Sequence, residues 1–409
     1  MKSQHLYWKS ILTSISFFLM LLTLSGCDSC TKKSMQSESK NTVLGDDENV
    51  IKIGEVSSMT GSEATFGVST HRGIELAIND INSAGGIKGK KLTLITMDDQ
   101  SKPDEAATVI TKLITQDKVH AILGEVASSR SLAMAPIAQA HKIPMISPSS
   151  TNPRVTEQGD YIFRVCFIDP FQGSVMAKFA VDELKSKKAA ILRDLKSDYS
   201  IGLSDYFEKT FKGLGGEIIA DVSYSAGDID FKSQLTKIRA LIEEKGKDAV
   251  LFIPGYYTEV GLIARQAREL GIQNALLGGD GWDSPKLKEI GGVAVDGAYF
   301  SSHYSPESRA PSVVSFTNKF KEVYHETPDG LAAMGYDAVL VLADAMKRAE
   351  SFSSEHLRKA IAETKDFQAV TDKISIDQNR NAVKSAVILK VDKGEFRFHT
   401  TVSPQSINL

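Results

Sequence analysis

At 409 residues the chain is too long for one ordinary hydrophobic core, so two lobes are expected. Its 42% hydrophobic and 24% charged residues fit a folded globular protein, and a formal charge of −3 without a basic block argues against nucleic acid as a partner. Three cysteines, two of them close to the N-terminus, exclude a disulfide framework.

The first 26 residues read as an export signal. Lys2 and Lys9 give a positive start, and Ile11–Leu24 is a mostly apolar run of signal-peptide length, short for a membrane span. The run ends Leu24-Ser25-Gly26-Cys27, which resembles a bacterial lipobox. By that resemblance the signal is cleaved before Cys27, whose thiol carries lipid; the bland alternative is an ordinary signal with Cys27 incidental. Asp28 fits retention at an inner membrane if the host is diderm. Cys30 reads as a spare thiol. Residues 27–49 are rich in Ser, Lys, Asn and acids, a tether unable to bury enough apolar surface to fold.

From residue 50 strands and helices alternate. Val50–Val56 reads as a strand, Thr60–Gly67 as a loop, and Ser69–Ala84 as a helix with Ile74, Ala77, Ile78 and Ile81 on one face, stopped by Gly85-Gly86. The strand Leu92–Met97 ends at Asp98-Asp99. Pro103 opens a helix whose apolar face is Ala106, Ile110, Leu113 and Ile114. Val119–Leu123 is a short strand, followed by Gly124 and the hydroxyl turn Ser128-Ser129, a helix-like run, a second short strand Ile143–Ile146, and the cluster Ser147-Pro148-Ser149-Ser150-Thr151. Further strand-like runs are Ile162–Phe167, Ala189–Leu192, Glu217–Val222, Ala249–Ile253, Ala275–Leu277 and Ala298–Phe300. Helix-like runs are Phe171–Lys185, Ile201–Leu214, Phe231–Lys245, Thr258–Leu270, Val313–Tyr324, Leu331–Ala349 and Glu355–Glu363. Lys373–Ile376, Val387–Val391 and Phe396–His399 read as hairpin strands around Gly394. The alternation predicts an α/β fold of parallel sheets with right-handed crossovers, and the length calls for two doubly wound sheets.

Both hydroxyl clusters lie just past the C-terminal end of a strand, the edge where open α/β sheets bind ligands. Small hydroxyls and free backbone N–H groups at a helix start suit a carboxylate. This stretch is therefore expected to form half of a site for a small anionic or zwitterionic solute.

The order of motifs resembles the type I periplasmic binding proteins of branched-chain amino acid (leucine/isoleucine/valine) transport. The resemblance rests on Met59-Thr60-Gly61 with Phe66-Gly67, Gly85-Gly86-Ile87-Lys88-Gly89, Asp98-Asp99, Gly124 with Ser128-Ser129, Pro148–Thr151, Tyr199, Pro254-Gly255-Tyr256 and Gly278-Gly279-Asp280-Gly281. It covers essentially all of Val50–Leu409. It implies two lobes joined by three chain crossings: residues 50–168 with 301–382 as lobe one, and 169–300 with 383–409 as lobe two. It further implies a monomeric receptor without cofactor or metal, lipid-anchored outside the cytoplasm, that traps an amino acid by hinge closure and delivers it to an ABC permease.

An amino acid presents a carboxylate and an ammonium, and burying either unpaired costs several kcal/mol. By resemblance Ser128, Ser149, Ser150 and Thr151, with main-chain N–H groups of their loops, hold the carboxylate, although isolated Ser and Thr are commonly turn or cap residues. Asp280 is the expected ammonium partner, against the bland reading of an Asp in a glycine turn. Phe66, Tyr199, Tyr256 and Trp282, with Leu331 or Ala332, are expected to wall the side-chain pocket. Leu331 departs from the aromatic common at that place in the family, with Trp282 as compensation. Arg130 either reaches an acidic ligand group or, the preferred reading, pairs with Glu125 or is solvated. Cys166 and His71 read as structural.

No Gly-x-Ser-x-Gly or His-Glu-x-x-His occurs, and Gly85–Lys91 lacks the spacing and the Ser/Thr of a phosphate loop. The eight histidines show no metal-ligand spacing. The rival readings are a sensory module of the same fold, an enzyme with a convergent nucleophile in the cleft, and, within transport, an amide, urea, aromatic-acid or acidic amino acid ligand.

Overall fold

A computed structural model describes residues 49–407 of the chain. The signal, the tether, Cys27 and Cys30 lie outside the described residues.

Two sheets are built on short, wholly buried apolar strands at their centres, with longer and part-exposed strands at their edges. The first is parallel, in the order Lys91–Asp98, Val50–Ser57, Ala121–Leu123, Met145–Ser147, Ile162–Arg164. The second runs Glu217–Tyr224, Lys188–Asp194, Val250–Phe252, Leu276–Gly278, Tyr299–Ser302, all parallel, and is extended by Ala386–Asp392 and Glu395–Val402, which pair antiparallel at its far edge. In both sheets the first strand in sequence sits second in space, so each has a switch point beside that strand, where neighbouring connections leave to opposite faces and open a crevice.

Helices cover both faces of each sheet. On one face of the first lie Ala64–Ser83, Pro311–Tyr324, Gly330–Arg348 and Ser354–Ala362, around Ile53, Ile74, Phe163, Phe316 and Leu342; on the other lie Pro103–Thr115 and Ser128–His141, around Ile110, Ile122 and Met134. The second sheet is covered by Asp169–Asp182 and Asp198–Gly213 on one face and by Lys232–Lys245, Tyr257–Glu269 and Pro285–Gly291 on the other. Helices Ala64–Ser83 and Gly330–Arg348 approach backbone to backbone. A Cβ on Gly73 would stand 1.9 Å from the Ala332 carbonyl oxygen, and one on Gly335 2.4 Å from that of Thr70.

Three stretches join the halves: residues 165–168, 303–310 and 384–385. Three differences from expectation stand out. The first long helix starts at Ala64, so Phe66 and Gly67 lie in its first turn rather than in a loop. Gly67 serves closeness there, since a Cβ would stand 2.0 Å from the Ser58 carbonyl oxygen. The strand expected to end at Phe300 runs to Ser302, which moves the second crossing to His303. Lys373–Ile376 takes no part in the C-terminal hairpin. It pairs with Phe367–Gln368 and Ala382–Val383 in a small separate antiparallel sheet.

Candidate binding site

The C-terminal ends of the two large sheets face each other across a cavity of about 260 Å³ lined by Phe66, Val126, Ser128, Ser149, Tyr199, Tyr256, Asp280, Gly281 and Leu331. Each lining segment follows a strand or opens a helix. Val126 and Ser128 follow Ala121–Leu123, Ser149 follows Met145–Ser147, Tyr199 follows Lys188–Asp194, Tyr256 follows Val250–Phe252, and Asp280 follows Leu276–Gly278. Phe66 and Leu331 come from the first turns of the two helices that meet at Gly73 and Gly335. Both halves thus present the crevice at their switch points.

One end of the cavity is dipolar. Ser128 is the first residue of the helix Ser128–His141, whose first-turn N–H groups lack intrahelical acceptors. The Ser128 hydroxyl accepts the Asn152 N–H at 3.2 Å, and Ser149 Oγ donates to the Val126 carbonyl at 3.2 Å, so the two hydroxyl loops are tied together. Ser150 is buried away from the lining. Its hydroxyl meets Ser131 Oγ at 2.7 Å and donates to the carbonyls of Glu125 and Val126. Thr151 is buried too; its carbonyl accepts the Asp169 N–H at 2.9 Å, and its hydroxyl oxygen has no hydrogen-bond partner. Ser150 braces the loop from behind, a correction to the expectation that it faces the solute.

Arg164, wholly buried, donates to the carbonyls of Ser150 and Asn152 and so fixes the backbone of this loop from beneath. Burial pushes the Asp169 carboxyl up to about 8, with the negative charge of Asp280 adding to the shift and the Thr151 hydroxyl and Arg164 opposing it.

The other end is acidic. Asp280 opens the short turn Asp280–Trp282. Its N–H donates to Gln172 Oε1 at 2.8 Å, and Gly281 N–H donates to the Tyr199 hydroxyl at 3.1 Å. Oδ2 of Asp280 meets Nε2 of His303 at 3.0 Å, whereas Oδ1 is buried without a protein partner. A buried carboxylate oxygen without a partner, on a residue that lines a cavity, is a hydrogen-bond acceptor awaiting a donor.

Between the ends the walls are apolar and aromatic. Tyr199 and Tyr256 stack at 5.3 Å and 8°, and Phe66 meets Tyr256 edge-on at 5.8 Å across the interlobe gap. Trp282 is corrected from pocket wall to core. It is fully buried against Phe300, its Nε1–H donates to the Ile253 carbonyl at 2.9 Å, and a Cβ on Gly278 would stand 2.0 Å from its ring. It therefore shapes the turn that carries Asp280 rather than the pocket, and cannot replace an aromatic at Leu331.

Among the described residues no cation lines the cavity. Arg130 is buried behind it, with Nε donating to Glu125 Oε2 at 2.9 Å, Nη1 paired with Glu63, and Asp99 at 3.8 Å. The preferred pairing with Glu125 holds, and Glu63 is an added partner. Burial, and then the charge of Glu125, pushes Asp99 up to about 7. Cys166 is buried and free, its thiol pushed up to about 12 by burial, and His71 pairs with buried Glu55 at 2.7 Å. No group of described His, Cys, Asp and Glu residues has a metal-site arrangement, and no described helix is long and apolar enough to cross a membrane.

Outside the cavity the lobes are latched on two sides. Asp198 accepts from Ser129 Oγ and from Arg154 Nη1, both at 2.9 Å, while its carbonyl accepts from Asn152 Nδ2 at 2.8 Å. Opposite, the Tyr257 hydroxyl accepts the Thr65 N–H at 3.2 Å and donates to the Ser62 carbonyl at 3.1 Å. Sequence reasoning passed over Gln172 and His303, which support Asp280 from other elements, and Arg164, which holds the loop behind Ser149, because none belongs to a recognisable motif.

Residues 50–395 match the family described as periplasmic binding protein. The chain is 32% identical over 339 residues to Leu/Ile/Val-binding protein homolog 1 of Brucella suis, covering 82% of this chain and 89% of that one. Among solved structures it is similar to a leucine binding protein, LivK, of Thermotoga maritima, with TM-score 0.83 and 41% identity over 87% of this chain and 99% of that one. It is also similar to the branched-chain amino acid transporter substrate binding protein LivJ of Streptococcus pneumoniae, in complex with isoleucine, with TM-score 0.81 and 35% identity over 87% of this chain and all of that one.

Proposed function

We propose, since the chain belongs to the periplasmic binding protein family, that it captures a branched-chain or other apolar α-amino acid between its lobes as the receptor of an ABC transporter. The observation that carries this reading is Asp280 on the lining, its Oδ1 buried without a protein partner, in a cavity whose other polar features are dipoles. A zwitterion satisfies both ends. Its ammonium donates to Asp280 Oδ1, and its carboxylate accepts from the Ser128 hydroxyl and from main-chain N–H groups of the Ser149 loop and of the start of Ser128–His141. A second carboxylate on the guest finds no cation on the lining, which disfavours acidic amino acids. Phe66, Val126, Tyr199, Tyr256 and Leu331 enclose an apolar side chain. The names of the Brucella and Thermotoga relatives, and the isoleucine held by the Streptococcus protein, support the branched-chain class.

The chain acts as a binding protein and not an enzyme. It works outside the cytoplasm, tethered as a monomer through lipid on Cys27, and its closed form is what the permease recognises. Closure is a hinge motion on the three crossings, with the Asp198 and Tyr257 contacts as its latches. A thermal-shift screen of all amino acids tests the reading, since a ligand bound only by the native state raises the melting temperature. Isoleucine, leucine and valine are expected to give the largest shifts. A screen in which no amino acid shifts the transition sinks the proposal.

A further inference from the structure

His303 is the first residue of the second crossing, directly after the strand Tyr299–Ser302. That strand pairs with Leu276–Gly278 in parallel register, Gly278 opposite Phe300, so Asp280, two residues past Gly278, and His303, three past Phe300, come side by side. The imidazole is buried, stacked on Phe167 of the first crossing at 3.8 Å and 30°, with Nε2 at 3.0 Å from Asp280 Oδ2. Nδ1 is buried without a partner.

This geometry selects the tautomer. With the proton on Nε2, the ring donates to the carboxylate and leaves a bare Nδ1 acceptor. With the proton on Nδ1, a lone pair would face the carboxylate and a buried N–H would go unbonded, the costlier arrangement. The ring stays neutral near neutral pH because burial lowers its affinity for a proton, against the pull of Asp280. The other charged group that acts on it is Lys384 of the third crossing, which also disfavours protonation, while Cys166 of the first crossing and Asp169 at its flank lie in the field of Asp280.

We propose that His303 is a positioning residue for solute capture: as a neutral Nε2–H donor anchored on Phe167, it fixes one oxygen of Asp280 and leaves the other aimed at the ammonium. The assignment rests on the amino-acid reading of the cavity. It makes capture sensitive to acid, because a protonated His303 would place a cation against the carboxylate that the ammonium needs. Binding and protonation of the ring then oppose each other by linkage.

The test compares wild type with His303→Gln, which retains a donor, and His303→Phe, which retains the stack without one. Isoleucine titration calorimetry at about pH 7.5 is expected to show His303→Phe weakened about 10- to 100-fold and His303→Gln within about threefold of wild type. Between about pH 7.5 and pH 5 the wild-type affinity is expected to fall at least about fivefold while His303→Gln changes less. Nitrogen NMR of histidine-labelled, ligand-free protein should report the Nε2–H tautomer. A His303→Phe variant that binds like wild type overturns the proposal, as does an Nδ1–H tautomer. Equal weakening of both variants with lowered melting temperatures overturns it in favour of packing alone. If wild type takes up no amino acid in the thermal-shift screen, the reading of the cavity fails, while the tautomer still decides the Asp280–His303 bond.

Discussion

Replacing Asp280 with Asn leaves the shape of the site and removes its charge. Asp280 is 7% exposed, and it carries the only charge on the cavity lining among the described residues. An ammonium about 3 Å from Oδ1 would gain on the order of 5 kcal/mol at an effective dielectric constant near 20. In the variant the amide oxygen would turn to the His303 Nε2–H, which directs the amide NH2 group at the ammonium. The complex then loses the attraction and leaves a buried cation unpaired, a change that costs about 3–5 kcal/mol, or roughly two to three and a half orders of magnitude in Kd. Calorimetric titration of leucine and isoleucine reads the loss directly. The ligand-free variant is expected to melt within about 3 °C of wild type, because the carboxylate it removes was only partly satisfied in the fold. Affinity within about threefold of wild type would mean that the ammonium sits elsewhere, and the electrical layout of the cavity would have to be redrawn.

Leu331→Phe adds bulk to the apolar wall and is expected to weaken isoleucine at least about tenfold while weakening alanine less, a ratio measured by paired titrations. Asp198→Ala removes the hydroxyl and guanidinium contacts of one latch and should cost about 3- to 10-fold in affinity. X-ray scattering of the ligand-bound variant should show a larger radius of gyration than wild type. Asp169 provides a pH test. Its folded pKa of about 8 lies above the unfolded value near 3.9, so the stability gained by keeping that proton is full below about pH 4 and is lost as pH rises through 8. Asp169→Asn cannot lose a proton. Its melting temperature should gain on wild type across that window in a pH series, and parallel curves would contradict the assignment.

The helices were legible in the sequence because each carries an apolar face at helical spacing, as with Ala106, Ile110 and Leu113, and because the glycines and prolines that punctuate them mark real ends. The short strands were legible as continuous apolar runs, which follows from burial on both faces. What failed was pairing. Nothing local in Lys373–Ile376 tells it to leave the C-terminal hairpin for Ala382–Val383, since that choice is made by where the third crossing passes. The site shows the same divide. Phe66, Ser128, Ser149, Tyr199, Tyr256, Asp280 and Leu331 all reach the cavity, and each stands at a strand end or helix start that chain order reveals. Ser150 shares the hydroxyl chemistry of Ser149 but turns inward, toward the Glu125 carbonyl. Trp282 is two residues from Asp280, yet the space over Gly278 draws its ring into the core. Residue type announced an ability to bind, and only backbone direction decided which side chains use it.

The chain passes three times between its halves, and this sets an order for their completion. The first sheet has all its strands by Arg164, but one of its faces carries only Ala64–Ser83 until the helix Gly330–Arg348 arrives to meet it at Gly73 and Gly335. The second sheet has an unfinished edge until Ala386–Asp392 pairs with Tyr299–Ser302. A nascent polypeptide stopped before the helix Gly330–Arg348 therefore owns neither half in finished form, and one stopped at the third crossing owns the first half alone. The first half waits on segments made after most of the second, and a truncation that removes Ala386–Asp392 opens the edge of the second half while leaving the first whole.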